Sequence, residues 1–189
     1  MRYKAGYKEE KRKELLKVSG QLAKKNGFHA TGVDGFMKES GVTSGAFYSH
    51  FSSKNELFRA LVESELEQSI QLWQSNPHHD AAAWIEFELN RYLSPLHAEK
   101  PEYGCVLPAL SSEISRAEED IKQVYEAELI RGIQLFEKHL GSQDQAWAVL
   151  CQMVGSILIA RSVASPELKI RILESSKQFL LSQIALHAA

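Results

Sequence analysis

The chain has 189 residues, 44% apolar and 24% charged, an ordinary balance for a soluble globular protein that can bury a substantial core in one or two domains. Its formal net charge is −2, from 22 basic and 24 acidic residues. The longest apolar stretch, Val154 to Ala160, is far too short to span a bilayer, and Cys105 and Cys151 make no disulfide or metal pattern. No apolar run follows the basic N-terminus, so the expectation is a cytoplasmic protein without a signal peptide.

In chain order, a first helix begins near Lys8. Leu15, Leu16, Leu22 and Ala23 mark its apolar face, and Asn26-Gly27 is a stop signal. Lys4, Lys8, Lys11, Arg12 and Lys13 form a basic arm or first turn that can reach a phosphate. Glu9, Glu10 and Glu14 partly offset it. Thr31 is placed to cap a second helix whose apolar face is Val33, Phe36 and Met37. Gly41 falls where the chain must turn sharply, and Val42 is an apolar anchor behind it. Thr43 or Ser44 can cap a third helix. Gly45 and Ala46 are small enough to let its backbone approach base edges. Phe47 and Phe51, four apart, point to a core. Tyr48 and His50 lie off that face, within reach of a phosphate backbone, and Lys54 adds a cation at the start of the next helix. Two short helices joined by a tight turn are the layout of a helix-turn-helix, whose second helix enters the DNA major groove.

This stretch resembles the tetracycline-repressor (TetR) family of bacterial transcription regulators. The resemblance is carried by Thr31, Gly41-Val42-Thr43, Gly45, Phe47-Tyr48, His50-Phe51, Ser53-Lys54 and Leu57. One departure stands out: the family usually has Ile-Ala before the turn, where this chain has Phe36-Met37. The resemblance implies an all-α homodimer that binds palindromic operator DNA and releases it when a small molecule enters the C-terminal part. A repressor is expected. No nucleophile elbow, Gly-rich phosphate loop or metal-ligand motif appears in the residues, so no enzyme, cofactor or metal is expected. The DNA-binding residues are then Thr31, Thr43, Ser44, Gly45, Ala46, Tyr48, His50 and Lys54. The expected division is a three-helix helix-turn-helix domain over 1–53 and a helical effector-binding and dimerisation domain over 54–189.

Charge distribution points the same way. The first 60 residues carry 12 Lys/Arg against 6 Asp/Glu, or +6; the remaining 129 carry 10 against 18, or −8. A basic head on an acidic body is the footprint of a DNA-binding domain joined to a part that does not touch DNA.

Beyond the head, a long helix is expected from Asn55 to Gln74, striped by Leu57, Phe58, Leu61, Val62, Leu66, Ile70 and Trp73. The segment 76–80 breaks it; its adjacent His78 and His79 point in different directions and read as a polar loop. Further helices are expected over 81–98, 106–115 and 117–139, with 100–104 a loop. Ser142 and Gln145 then make a capping box for a helix over 143–163, and Ser165-Pro166 precedes the last one. The middle of the chain supplies candidate effector contacts in Trp73, Trp84, Phe87, Tyr92, Tyr103, Cys105 and Phe136. An apolar or aromatic ligand is expected there. The last two helices offer candidate dimer contacts in Trp147, Cys151, Val154, Leu158, Leu173, Phe179 and Leu180. The competing reading is a helical small-molecule-binding or scaffolding protein whose head no longer binds specific DNA. Intact Tyr48, His50 and Lys54 favour the regulator.

Overall fold

A computed structural model describes residues 6–187, with side chains through 184. Among these residues every regular element is helical. The order is α1 (Tyr7–Asn26), α2 (Val33–Ser40), α3 (Ser44–Tyr48), α4 (Lys54–Gln74), α5 (Ala81–Tyr92), α6 (Pro95–Glu99), a 3-10 turn (Pro101–Tyr103), α7 (Leu107–Ile114), α8 (Glu119–Leu140), α9 (Gln143–Ser162) and α10 (Pro166–His187). The chain is all-α, as expected, and Lys4 lies outside the described residues.

Local signals account for most boundaries. Gly27 ends α1 with its N–H on Ala23 O, and Gly41 ends α2 in the left-handed region at φ 63, where a side chain would be strained. Ser53, Asp80 and Ser142 cap α4, α5 and α9 by accepting from the N–H three residues on. Two expectations change. Thr31 does not cap α2: Gly32 holds that position, and the Thr31 hydroxyl donates back to Gly27 O at 2.8 Å, closing the turn. The helix expected over 81–98 is two. Ser94 accepts from His97 N, Pro95 occupies the first turn of α6, and a proline cannot continue the hydrogen-bond ladder of α5.

The head packs around aromatic rings. Phe28 stacks on Phe58 at 4.1 Å and meets Phe36 at 5.2 Å, while Phe47 and Phe51 are fully buried beside them. Phe36 therefore fills the head core, with Met37 packed partly buried at its edge. Because Phe58 belongs to α4, that helix starts in the head and runs on into the body. It lies along α8. Trp73 meets Phe136 edge-on at 5.1 Å, and Phe136 meets Trp84 in the same way. α9 packs on α8, and α10 on α9. Ser156 Oγ donates to Ser176 Oγ at 2.7 Å across the last pair.

Candidate nucleic-acid interface and effector cavity

α2, the Gly41 turn and α3 form a compact corner. Val42 N–H bonds Met37 O at 3.0 Å, and Thr43 caps α3 by accepting from Ala46 N at 3.3 Å. Phe47 anchors α3 inward. The outward side of α3 presents Thr43, Ser44, Gly45 and Tyr48, the last 53% exposed, while Ala46 is half-buried. A Cβ built on Gly45 would meet nothing within 4 Å, so the surface above it is open. Thr43 uses its oxygen as acceptor and keeps its hydroxyl hydrogen for another partner.

Beside α3, Gly6, Lys8, Glu9, Arg12, Ser49 and His50 line a shallow cleft of about 440 Å³, in which Glu9 is paired with Lys13. The His50 ring is partly covered, and its Nδ1 is buried without a hydrogen-bond partner among the described residues. Burial, and then the charges of Lys8 and Arg12, push its pKa down. Both cations repel a proton, and both attract an anion such as a phosphate. Arg12 is held over the Phe51 ring at 4.8 Å. Lys11 and Lys13 are committed instead to Glu14 and Glu9 within α1. Lys54 is also turned inward: its ammonium donates to His29 O at 3.3 Å and sits 5.0 Å over Phe28. Burial lowers its pKa. The cleft at Lys8 and Arg12 thus offers an anion more accessible positive charge than Lys54 does. The sequence signal for it was the basic first turn, but nothing in the spacing singled out Arg12.

A cavity of about 740 Å³ lies between α1, α4, α5, α6 and the 3-10 turn. Of the residues expected to meet an effector, Trp73, Tyr92, Tyr103 and Cys105 line it. Trp84 and Phe136 do not: they are core residues behind its wall, with Trp84 stacked on His139 at 4.2 Å. Phe87 faces away, against His78. Polar residues that periodicity had not marked complete the wall. Lys24 Nζ lies 2.6 Å from Glu65 Oε2 and 2.9 Å from Gly104 O. A signal for this pair existed: Lys24 and Glu65 stand at helical spacing on the inward stripes of α1 and α4, four residues after Gly20 and Leu61. Arg91 pairs with the fully buried Glu88, whose pKa burial raises.

His97 braces the cavity loop. Its Nδ1–H donates to Tyr92 O at 2.7 Å, and its Nε2 accepts from Cys105 N at 2.9 Å. Both contacts suit the neutral ring, and burial pushes its pKa down to about 4. Between the ordinary value of 6.5 and about 4 the unfolded chain binds a proton that the folded one refuses. Stability is therefore full above pH 6.5 and falls as pH drops through this window, by about 3 kcal/mol from this group. Urea unfolding at neutral and mildly acid pH should show that fall in the parent and a flatter response in His97→Gln.

Comparisons with known proteins bear on the helix-turn-helix first. Residues 15–61 match the family model of bacterial regulatory proteins of the tetR family, a span that contains α2, α3 and the start of α4. Over that quarter of its length the chain is similar to the helix-turn-helix part of TetR-family regulators. An uncharacterized HTH-type transcriptional regulator, YfiR of Bacillus subtilis strain 168, is 28% identical over 90 residues, covering 48% of this chain and 42% of that protein. The chain thus matches less than half the length of that relative. A second, from the lacX 3' region of Lactococcus lactis subsp. lactis, is 24% identical over 166 residues, covering 79% and 83%. The crystal structure of reduced E. coli NemR shares the fold, with a TM-score of 0.78 at 23% identity over 90% of this chain and 95% of that one.

TetR-family regulators bind DNA and small-molecule ligands and commonly dimerise. On this chain the residues expected at a dimer interface divide into two sets. Cys151, Leu158 and Phe179 are exposed, Leu158 at 51% and Phe179 at 54%, and Trp147 and Val154 are half-buried. Ile159, Leu168 and Ile170 join the exposed set. Leu173 and Leu180 are corrected: at 1% and 4% exposure they are core residues of their own chain. Nothing lies within 4 Å of a Cβ built on Gly155, which leaves α9 open to close approach between its exposed residues. Among the described residues no helix is long and apolar enough to cross a membrane.

Proposed function

We propose that the chain is a ligand-responsive regulator that binds two-fold operator DNA as a homodimer through α3 and is released by a small effector held in the cavity. The observation that carries this reading is the outward face of α3: open space over Gly45, hydroxyls at Thr43 and Ser44, and an exposed Tyr48, next to a cleft with Lys8 and Arg12. Small residues let the helix backbone meet base edges, while the phenol and the cations meet phosphates. Residues 1–53 form the head in this reading and 54–189 the body. Two heads are needed to read half-sites about one DNA turn apart, and the exposed apolar faces of α9 and α10 are the surface for pairing them. The reading is repression. An effector acts only by preferring a dimer shape with wrongly spaced heads, so operator DNA weakens effector binding by the same factor that effector weakens operator binding.

Fluorescence-anisotropy titration of a selected palindrome at several salt concentrations tests the DNA part. Affinity should fall steeply with salt, because cations of the head displace counterions. Lys8→Ala should weaken binding to all sequences alike and flatten the salt slope by about one unit. Tyr48→Phe should weaken binding without changing that slope. Salt-independent affinity, or no binding to any selected sequence, would leave a helical binding or scaffolding protein.

A further inference from the structure

We infer that the cavity selects an organic anion with an apolar body, and that its charged end is received at the Lys24–Glu65 pair. The inference rests on the cavity being the effector site. The lining carries three formal cations, Lys24, Arg91 and Lys100, against one anion, Glu65. His97 adds no charge, since both its ring nitrogens are engaged and its pKa is about 4. Arg91 is met by Glu88, which lies outside the lining. Lys24 and Lys100 then face Glu65 alone, and a cationic ligand would enter a positive enclosure.

The Lys24–Glu65 pair is itself built into the wall. Its side chains are 6% and 8% exposed, so the pair is shielded from bulk water. Lys24 has three N–H donors and two described partners, Glu65 and Gly104 O. An anionic oxygen at the cavity wall can take the remaining Lys24 N–H. Leu72, Trp73, Leu96 and Tyr103 supply the apolar and aromatic walls for the rest of the molecule.

The same geometry couples the ligand to the head. Lys24 is on α1, Glu65 on α4, and Gly104 on the loop before α7. An incoming anion competes with Glu65 for Lys24. A Cβ on Gly20 of α1 would overlap the Glu65 carboxylate, so that carboxylate packs directly on the α1 backbone and its Lys24 bond ties α1 to α4.

The test uses three probes of one shape: 2-naphthoate, 2-naphthamide and 2-naphthylmethylammonium, titrated calorimetrically into the whole protein without DNA. The naphthoate should bind about tenfold tighter than the amide, and the ammonium weakest. Lys24→Met should bring naphthoate and amide within about twofold of each other. Glu65→Gln, which keeps the side-chain shape, should strengthen naphthoate binding and leave the amide unchanged. Amide or ammonium binding as tightly as naphthoate would overturn the inference. So would no binding of any probe at millimolar concentration. Should Lys24→Met fail to fold, unchanged naphthoate affinity in Glu65→Gln would overturn it. Because no DNA is present, failure here leaves the operator reading standing, and loss of operator binding would leave an anion preference standing.

Discussion

Gly45→Leu is expected to reduce operator affinity to the non-specific level, a loss of about a thousandfold or more, while leaving the protein at least as stable as the parent. The two effects have separate physical origins. No atom lies within 4 Å of the Cβ position at Gly45, so a leucine there clashes with nothing in its own chain. Replacing an exposed helical glycine removes backbone freedom from the unfolded state and should add about 0.5–1 kcal/mol of stability. In the proposed complex with DNA the same side chain would stand where the α3 backbone comes closest to base edges, and would hold the helix out of the groove. Thermal unfolding and anisotropy with specific and scrambled duplexes read the two effects independently. A variant that selects the same palindrome with parent affinity would mean that another helix reads the DNA. Gly45→Ala is the graded control, adding one methyl and losing less.

The head was legible in the sequence because its devices are local. Gly41 at positive φ, Thr43 as a cap and Phe47 and Phe51 four apart each act within a turn or two of chain, and the structure places all of them as expected. Thr31 does not cap α2 because its hydroxyl bonds the carbonyl of Gly27, one turn back, rather than the backbone N–H groups of α2. The break at Ser94-Pro95 is also local, but apolar periodicity runs on through Leu93 and Leu96 and hides it.

The body was less legible because its site is made by long-range pairing. Trp84 and Phe136 are aromatic and at helical spacing, as a ligand wall would be, yet they spend their surface on each other and on Trp73. Cavity and core need the same residue types, and periodicity cannot separate them. The charges that shape the cavity are 41 residues apart in sequence, at Lys24 and Glu65, and only folding brings them to 2.6 Å. Lys54 shows the converse. Its position suits a phosphate contact, but the His29 carbonyl and the Phe28 ring hold it in this conformation. What was readable is a charged residue on an otherwise apolar stripe, which marks a place where a partner or a ligand is required.

The second large effect concerns pairing of the two heads. Phe179→Glu and Leu158→Asp alter side chains that are more than half exposed on α10 and α9, so the single chain should tolerate either with little loss of stability. In a dimer joined through these helices each change buries a charge without a partner, and the dimer should dissociate. A lone head binds one half-site and forfeits the gain from linking two. Operator affinity should therefore fall by about a hundredfold or more without any change in α3. Leu180→Glu, only one residue from Phe179, should behave differently. Leu180 is 4% exposed within its own chain, so its replacement should cost roughly 3 kcal/mol or more of fold stability. Light scattering, helical content and operator titration on the three variants separate the cases. The expected pattern is folded monomers for Phe179→Glu and Leu158→Asp, against a partly unfolded chain for Leu180→Glu. Folded dimers with parent operator affinity in both exposed-site variants would move the interface to another face of the body.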